Sequence, residues 1–334
     1  MKINIAEIPE LIESYQSFLN EWNNDSDYME IKTSGSTGNP KTIQLSKKAM
    51  KASANKTIKY FELKENDTAL LCLPLHTIAA KMMFVRAIEG KLNLDVHYPN
   101  ASPIAKLNKR IGFIAMTPMQ VLASMDYIDK FKYLQTILLG GAPIDSNLEK
   151  KLLSIKNCHF FHSYGMTETA SHVAVRKISS DVDKIYHALD RISFKTDNRG
   201  CLVIDYPEIS NKEIVTNDMV DLIDSYSFIW KGRFDFVINS GGIKIHVEEL
   251  ENSIKELIDL PFFIASIKDN TLGEKIVLYI ESKSPVNTSL IHEKLSLNIN
   301  KYKLPKEYFI IPNFTYNTGG KLNRIKSQMH ASLK

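Results

Sequence analysis

A run of hydroxylated residues, glycines and one lysine near the start of the chain offers groups that bind an anion. The run is Thr33-Ser34-Gly35-Ser36-Thr37-Gly38-Asn39-Pro40-Lys41, and a possible short strand lies on either side of it. A hairpin tip of this composition presents backbone N–H groups, hydroxyls and an ammonium group, and glycines let backbone approach a ligand closely. The polyphosphate of a nucleotide is the expected anion, although this is not a Walker loop. A plain polar hairpin turn remains the alternative.

A second group of residues that could act chemically comprises Tyr164, Gly165, Thr167 and Glu168, just past a predicted strand. A glycine beside an aromatic residue lets a flat ring lie against backbone, and a hydroxyl beside a carboxylate can hold a phosphate oxygen and Mg²⁺ together. A strand-end turn with a surface glutamate is the alternative. Asp218 lies in a β-like run, where a carboxylate can accept ribose hydroxyls or simply belong to a turn.

Two glycine-containing segments complete the candidate residues. In residues 232–244, Arg233 and Asp235 flank one position, and the Ser-Gly-Gly turn that follows also suits a plain tight hairpin. Near the C-terminus, Lys321 follows two glycines, and a lysine on such a loop reaches far. A frayed cationic tail is the alternative for this segment.

Composition narrows the class of protein. The 334 residues suggest two domains, and 44% hydrophobic with 24% charged residues is typical of a globular protein with a large core. The net charge of +4 suits small anionic ligands and does not indicate nucleic acid. Three scattered cysteines without a CxxC pair predict neither a disulfide framework nor a zinc site. We expect a cytoplasmic protein without a signal peptide or a membrane span.

The order of predicted elements indicates an α/β fold. Strands at 69–74, 94–98, 112–118, 135–139 and 159–164 alternate with helices at 46–61, 78–89, 118–125 and 145–155, with Gly90 ending the second helix. Such alternation predicts a layered, largely parallel sheet. Ligands collect where the strands of such a sheet end, which is where His76, Gly140, Gly141 and Tyr164 fall.

The pattern changes after about residue 175. Short strands are predicted at 200–205 and 213–230, and strands mix with helices again from residue 236 onwards. We therefore predict an N-terminal domain (1–234) of layered, mostly parallel sheets and helices plus a small β-rich part. A small α+β domain (235–334) follows it.

Taken in order, these stretches resemble the acyl-adenylate-forming superfamily, which includes acyl-CoA synthetases, peptide-synthetase adenylation domains and firefly luciferase. The resemblance rests on residues 33–41, 164–168, 216–218, 232–244 and 320–324. Residues 73–86 and the Gly-Gly-Ala-Pro turn at 140–143 look most like the o-succinylbenzoate–CoA ligases of menaquinone biosynthesis. The resemblance implies an ATP-dependent, Mg²⁺-requiring ligase that forms an acyl-AMP from a small carboxylate and then transfers the acyl group to coenzyme A.

The resemblance also implies roles for individual residues. Ser34, Ser36, Thr37 and Lys41 would hold the β- and γ-phosphates, and Thr33, Gly35, Gly38 and Gly165 would also bind ATP or AMP. Thr167 would contact the α-phosphate and Glu168 would hold Mg²⁺, while Tyr164, flanked by Gly140 and Gly141, would lie against adenine. Asp218 and Arg233 would hold the ribose, Arg86, His76 and Ala142 would contact the acid, and Lys321 would bridge carboxylate and phosphate. Domain rotation about the hinge residue Asp235 would then bring Gly241, Gly242 and Lys244 to a coenzyme A channel, which His76 would also border.

Arg86 has a physical argument of its own. It lies inside an apolar predicted helix, where a guanidinium needs an anion or hydrogen-bonded partners. The alternative is an arginine whose charged end reaches water while its stem packs on the helix.

This sequence departs from the family pattern in several ways. The phosphate loop begins at residue 33, whereas most members carry a much longer preceding segment. We expect an exposed sheet edge as a result, which a homodimer could cover. Asn217 replaces a glycine, and Ala79 a small hydroxylated residue. The alternatives that remain are a ligase for another aryl or acyl acid, a carrier-loading adenylation module and a non-catalytic nucleotide-binding relative.

Overall fold

The computed structural model describes residues 1–32, 42–144, 146–179, 184–316 and 322–331. The chain forms two compact units. Unit 1 comprises residues 1–195, 203–214 and 222–229, and unit 2 comprises residues 196–202, 215–221 and 230–334. The domain boundary after residue 234 stays a prediction. None of the described helices is long and apolar enough to cross a membrane.

Strands and helices largely alternate from residue 42 to residue 166, and mainly strands follow up to residue 233, as the sequence predicts. The strands are β1 (Ile3–Ile5), β2 (Tyr28–Lys32), β3 (Thr42–Ser46), β4 (Thr68–Leu71), β5 (Asn93–Val96), β6 (Ile111–Met116), β7 (Leu134–Leu139), β8 (His159–Met166), β9 (Ser171–Lys177), β10 (Ile185–Ala188), β11 (Ser193–Thr196), β12 (Cys201–Asp205), β13 (Ile214–Asp224) and β14 (Ser227–Arg233). The helices are α1 (Pro9–Asn23), α2 (Lys47–Tyr60), α3 (Ile78–Gly90), α4 (Pro118–Ala123) and α5 (Ser146–Ser154). Strands β11 to β14 form the predicted β-rich part, and each is divided between the two units.

The sheet of unit 1 is parallel over most of its width. Its strand order is β1-β5-β4-β6-β7-β8-β9-β10-β14. The first six strands of this order, from β1 through β5, β4, β6 and β7 to β8, each pair in parallel with the next. Strands β9, β10 and β14 extend the sheet, and each pairs with the strand before it in antiparallel fashion. The expectation of a largely parallel sheet therefore holds for β4, β6, β7 and β8, and ligand binding at their ends stays a prediction.

Helices cover both faces of this sheet, which explains why its strands are so apolar. On one face, Ile114 and Phe160 belong to a buried cluster with Val121 of α4 and Leu152 of α5. Side chains of successive strand residues point to opposite faces. Accordingly, Phe113 and Phe161 lie against Phe61 at the end of α2, with ring centroids 5.3 and 5.0 Å away.

Hydroxyl side chains begin the helices that connect the strands. Ser46, Thr77 and Thr117 accept hydrogen bonds from backbone N–H groups three residues later, as helix N-caps commonly do. The expected end of α3 is off by one residue: Gly90 is still helical and Lys91, at φ 50°, takes the left-handed conformation. A Cβ on Gly90 would lie 3.1 Å from Ile58, so close packing accounts for this glycine.

Two N-terminal elements were not predicted. Helix α1 buries Leu11, Phe18 and Trp22, and the Phe18 ring stacks on Phe84 of α3 at 4.8 Å. Strand β1 pairs with β5 and is the edge strand of the sheet. The first 32 residues are therefore part of the folded core of unit 1.

Unit 2 contains the predicted α+β fold. Its strands are β15 (Val237–Ser240), β16 (Ile243–His246), β17 (Phe262–Asp269), β18 (Gly273–Glu281) and β19 (Glu307–Ile311), and its helices are α6 (Val247–Ile254), α7 (Thr288–Asn298) and α8 (Arg324–Ala331). The strand order is β16-β15-β18-β17, and β19 pairs with β18. Leu250 of α6 and Leu295 of α7 are buried with Leu278 of β18 in the core of this unit.

Candidate functional site

The turn after β7 needs glycine at two positions, for a steric reason at Gly140 and a conformational reason at Gly141. Gly140 N–H donates to the Met116 carbonyl at 3.1 Å, and a Cβ on Gly140 would lie 2.7 Å from Ser163 Oγ. Gly141 has φ 84°, a conformation that residues with side chains rarely adopt. Glycine is therefore required at both positions, and the turn presents open backbone at the carboxyl end of β7.

Tyr164 lies near the end of β8, the next strand in the sheet. Leu139 pairs with His162, so the Gly140 turn and Tyr164 share one edge of unit 1. The Tyr164 ring packs edge-on against Phe228, with centroids 5.1 Å apart. The register of β8 and β9 shifts between Tyr164 and Gly165. A Cβ on Gly165 would lie only 2.2 Å from the Ser171 carbonyl, so this irregularity depends on glycine.

Thr167 and Glu168 form a single 3₁₀ turn between β8 and β9. The Thr169 hydroxyl holds this turn, because it accepts from Met166 N–H at 3.0 Å and donates to the Ser171 carbonyl at 2.6 Å. Thr167 is half-buried, whereas Glu168 is exposed. In the part of the chain that the structure describes, no cluster of three or more His, Cys, Asp or Glu residues could hold a metal ion. Mg²⁺ usually needs only one or two carboxylates besides phosphate oxygens and water, so an exposed Glu168 beside a hydroxyl fits it.

Arg86 is buried rather than open to solvent. It is 2% exposed, and burial lowers the pKa of its guanidinium to about 10. Its described hydrogen bonds run from Nε to Thr57 Oγ1 (3.2 Å), from Nη2 to Ser171 Oγ (2.6 Å) and from Nη1 to Met83 Sδ (3.7 Å). Because these partners are neutral, the structure gives Arg86 hydrogen-bond partners without neutralising its charge.

Other residues predicted to contact the acid lie on loops of unit 1. His76 is exposed between β4 and α3. Ala142 is half-buried, and its carbonyl oxygen lies 3.0 Å from His162 Nε2. The structure therefore brings Ala142 together with Gly140, Gly141 and Tyr164, and it does not give His76 a described contact with them.

In unit 2, Asp218 and Arg233 belong to a set of polar groups in which hydrogen bonds link Arg233, Asp235 and Asn217, and the Asp218 charge helps raise the pKa of Arg233. Asp218 is 9% exposed, and its Oδ1 accepts from Trp230 Nε1 at 3.2 Å. Arg233 Nη2 donates to Asp235 Oδ2 at 2.7 Å. Asn217 Nδ2 donates to Asp235 Oδ1 at 3.1 Å, so the residue that replaces the family's usual glycine contacts the predicted hinge residue.

Two residues of this set were missed in the sequence. Arg199 donates to Asn217 Oδ1 at 2.9 Å, and its guanidinium lies 5.3 Å from the centre of the Phe234 ring. Glu248 accepts from Arg233 N–H at 2.8 Å, and burial raises its pKa although this hydrogen bond opposes the shift. A Cβ on Gly232 would lie 2.6 Å from that carboxylate. Neither residue could be identified from its neighbours in the sequence, because each contacts its partners through strand pairing or packing.

The Gly241–Gly242 turn connects β15 and β16 as a tight hairpin. Ser240 pairs with Ile243, and the glycines have φ values of 59° and 80°. Two consecutive positive φ values are typical of the two-residue turns favoured in hairpins. Gly241, Gly242 and Lys244 are exposed.

Several predicted site residues lie outside the described part of the chain. They are Thr33, Ser34, Gly35, Ser36, Thr37, Gly38, Lys41 and Lys321. The flanking strands are described: β2 and β3 pair in antiparallel fashion up to Lys32 and Thr42, which confirms the predicted strands on either side of residues 33–41.

Comparisons with known proteins give one family. The sequence model of the AMP-binding enzyme family matches residues 16–198. A solved structure of an acyl-CoA synthetase (AMP-forming)/AMP-acid ligase II-like protein from Dyadobacter fermentans DSM 18053 is 32% identical, with a TM-score of 0.63 over 97% of this chain and 95% of that chain. A 2-succinylbenzoate–CoA ligase of Staphylococcus aureus strain MSSA476 is 27% identical over 343 residues, which cover 94% of this chain and 69% of that protein.

A second solved structure shares the fold at lower identity. The O-succinylbenzoate coenzyme A synthetase (MenE) from Bacillus subtilis, in complex with ATP and magnesium ion, is 20% identical. Its TM-score is 0.78 over 90% of this chain and 69% of that chain. These similarities confirm the predicted fold class.

Proposed function

This chain belongs to the AMP-binding enzyme family, and we propose that it is an ATP-dependent ligase that joins a carboxylate to coenzyme A through an acyl-AMP intermediate. One observation carries the proposal. Gly140, Gly141 and Tyr164 lie at the ends of neighbouring parallel strands, with the Thr167–Glu168 turn directly after Tyr164. Open backbone, a flat ring, a hydroxyl and an exposed carboxylate are thus available at one edge of unit 1.

In the first step, a carboxylate oxygen attacks the α-phosphorus of ATP. A new P–O bond forms, the bond to pyrophosphate breaks, and the products are acyl-AMP and pyrophosphate. Tyr164 and the Gly140–Gly141 backbone would bind adenine, and Thr167 would donate to the α-phosphate. Glu168 would hold Mg²⁺, which when bound offsets the negative charge of the phosphates. The Bacillus subtilis neighbour was solved in complex with ATP and magnesium ion, which supports the use of these two ligands.

In the second step, the thiol sulfur of coenzyme A attacks the acyl carbon. A C–S bond forms, the C–O bond to AMP breaks, and the thiol proton is released. We assign ribose binding to Asp218 and Arg233, because Asp218 offers acceptors and Arg233 offers donors for a diol. Lys321 would act in the first step only. Asp235 would be the hinge, and the exposed turn at Gly241, Gly242 and Lys244 would border the thiol. Such alternation of domains is a gating motion.

We assign 2-succinylbenzoate as the acid. The support is the name shared by several relatives, at 25–27% identity over most of this chain. Arg86 would bind the second carboxylate of this diacid, with His76 and Ala142 lining the same pocket. The burial of Arg86 favours a second candidate, an aryl or acyl monocarboxylate, because its guanidinium already donates to Thr57 and Ser171. A homodimer that covers the edge strand β1 and a cytoplasmic location also remain predictions.

The test is a coenzyme A thioester assay with ATP and Mg²⁺. It compares 2-succinylbenzoate with benzoate and medium-chain fatty acids. We expect thioester and AMP to form fastest with 2-succinylbenzoate. Faster turnover of a monocarboxylate would contradict the substrate but keep the reaction. No pyrophosphate release with any acid would contradict the ligase and favour a non-catalytic nucleotide-binding protein.

A further inference from the structure

A chain of buried polar side chains lies behind the Gly140–Ala142 turn. It runs from Glu149 through Arg176, Tyr186 and His162 to the Ala142 carbonyl, entirely within unit 1. His162, Tyr186 and Arg176 are each less than a tenth exposed. Buried polar groups cost free energy unless they are hydrogen-bonded, so such a chain constrains the backbone that it contacts.

The direction of each hydrogen bond follows from the atoms involved. His162 Nε2 lies 3.0 Å from the Ala142 carbonyl oxygen, which can only accept, so Nε2 carries the proton. Burial lowers the pKa of His162 to about 4, so the ring is neutral at pH 7. Nδ1 of the neutral ring is then an acceptor, and the Tyr186 hydroxyl donates to it at 2.6 Å.

The end of this series of polar side chains that lies away from Ala142 is held by other elements. The Arg176 guanidinium of β9 pairs with Glu149 of α5 and lies 5.8 Å from the centre of the Tyr186 ring. The Tyr186 ring stacks on Phe228 with centroids 5.4 Å apart and meets the Tyr164 ring edge-on at 6.1 Å. Tyr186 thus contacts both His162 and the aromatic residue assigned to adenine.

The glycine turn needs such an anchor. Gly140 is held from the β6 side by its hydrogen bond to Met116, but Gly141 is exposed with φ 84°. Glycine populates many backbone conformations, so ordering it has a large entropic cost. The bond from His162 to Ala142 holds the turn on the other side of Gly141.

We propose that His162 is a positioning residue for substrate binding: it holds the Ala142 carbonyl and thereby sets the Gly140–Ala142 backbone, while Tyr186 orients both His162 and Tyr164. The ligand that depends on this arrangement is the adenine nucleotide, so the proposal rests on the proposed function. The described contacts of His162 are with the Ala142 carbonyl and the Tyr186 hydroxyl, and we assign it no contact with the acid or the reacting phosphorus. Its loss should affect nucleotide binding more than the chemical step.

The experiment combines amide hydrogen exchange with AMP binding. His162→Phe removes both hydrogen bonds, His162→Gln keeps an N–H donor, and Tyr186→Phe removes only the hydroxyl. Ile137→Val is the matched control, because Ile137 is fully buried on β7, the strand that leads into the turn, and makes no side-chain hydrogen bond. Exchange is followed in residues 139–144, and AMP binding by calorimetry.

We expect exchange in residues 139–144 and the Kd for AMP each to rise about 5- to 10-fold in His162→Phe, because only one of the two lost hydrogen bonds, that to the Ala142 carbonyl, acts on the turn directly. Tyr186→Phe should show the same changes to a smaller extent, and His162→Gln should restore part of both. Ile137→Val should leave the exchange of this segment and the Kd near the wild-type values.

Equal exchange and equal Kd in His162→Phe and Ile137→Val would overturn the proposal. If His162→Phe does not fold, Tyr186→Phe is compared with Ile137→Val instead, and equal exchange and equal Kd would again overturn the proposal. Failure of the wild-type protein to bind AMP would contradict the nucleotide function itself. In that case the exchange measurement still decides whether His162 holds the turn.

Discussion

At the scale of single residues, the assigned side chains differ in their exposure to solvent. Glu168 is exposed on its turn, whereas Arg86 and Asp218 are buried and already contact protein groups. An exposed carboxylate can exchange water for a metal ion or phosphate-bound metal at little structural cost. A buried cation or carboxylate contributes to folding as well as to binding, so its substitution needs a stability control.

Glu168→Gln should reduce ATP–pyrophosphate exchange about 30- to 150-fold, because a charge-assisted contact contributes about 2–3 kcal/mol. The apparent affinity for Mg²⁺ should fall as well, and the Tm should stay unchanged. Glu213→Gln is the control, since Glu213 is an exposed carboxylate paired with Lys195 in the same unit. Normal exchange activity in Glu168→Gln would remove this residue from the metal site.

Arg86→Met should raise the KM for the acid about 30-fold or more and change the KM for ATP little, if Arg86 binds a substrate carboxylate. Methionine retains volume and removes the charge. Lys56→Met is the matched control, because Lys56 is another buried cation but pairs with Glu208 at 2.9 Å. If both variants lose stability and neither changes the KM for the acid, Arg86 serves the fold through Thr57 and Ser171.

Stability should depend on pH through His162. Its pKa is about 4 in the folded protein and about 6.5 in an unfolded chain. Between these values the unfolded state binds more protons, so the free energy of unfolding should fall as pH drops from about 6.5 to 4. The full loss is about 3 kcal/mol. Urea unfolding of wild type and His162→Gln measures this, and the variant should lose less stability over that range.

The control for this pH experiment is His159→Gln, an exposed histidine on the same strand. It should retain the wild-type pH dependence. Burial also lowers the pKa of His172, which therefore contributes equally to the pH dependence of unfolding in wild type and in both variants. If the free energy of unfolding of wild type and of His162→Gln changed with pH by the same slope, the assignment of His162 as a neutral, hydrogen-bonded ring would be wrong.

At the scale of elements, the irregular pairing of β8 and β9 positions the Thr167–Glu168 turn. The register shift follows Tyr164, and Ala170 at φ 58° ends the turn before β9 begins. An added residue in one strand bends it and re-aims the side chains that follow. The turn therefore depends on how closely β9 approaches Gly165.

Gly165→Ala should lower the free energy of unfolding by clearly more than about 2 kcal/mol, because its Cβ would lie 2.2 Å from the Ser171 carbonyl. Gly200→Ala is the comparison. Gly200 has φ 79°, and the atom closest to a new Cβ is 3.9 Å away, so only backbone strain of about 1–2 kcal/mol is expected. Urea unfolding compares the two variants, and equal losses would mean that β9 can move away from Gly165.

At the scale of the whole molecule, the assigned groups are divided between two compact units. The adenine and metal assignments lie in unit 1, and Asp218, Arg233 and the β15–β16 hairpin lie in unit 2. The rotation about Asp235 is a proposal, and a substitution of Lys321 tests it because the two half-reactions can be measured separately.

Lys321→Ala should abolish acyl-AMP formation while thioester formation from supplied acyl-AMP continues near the wild-type rate. The physical reason is that an ammonium on a long side chain stabilises the approach of two anions only in the first step. Lys326→Ala, which removes an exposed lysine of α8, should leave both half-reactions unchanged. Equal loss of both half-reactions in Lys321→Ala would contradict alternation of the domains.

Much of the fold could be predicted because its signals are local. Ser46 before a periodic segment predicted α2, and the apolar runs between polar turns predicted β6 and β7. Helix α1 and β1 were missed, since their stability comes from distant partners such as Phe84 and β5. The end of α3 was predicted one residue too early, because Gly90 is explained by its close packing against Ile58 and not by a conformation that ends the helix.

The sequence by itself predicted the family and the order of the assigned residues, because five short stretches occur in an order that resembles the family, although each stretch alone also fits a plain turn or tail. Only the tertiary structure decided which groups are buried and what they contact. It buried Arg86 against neutral partners, linked Asn217 to Asp235, and placed His162 and Tyr186 behind the Gly140–Ala142 turn. The physical reason is that such contacts join residues far apart in the chain, and burial makes each of them energetically significant.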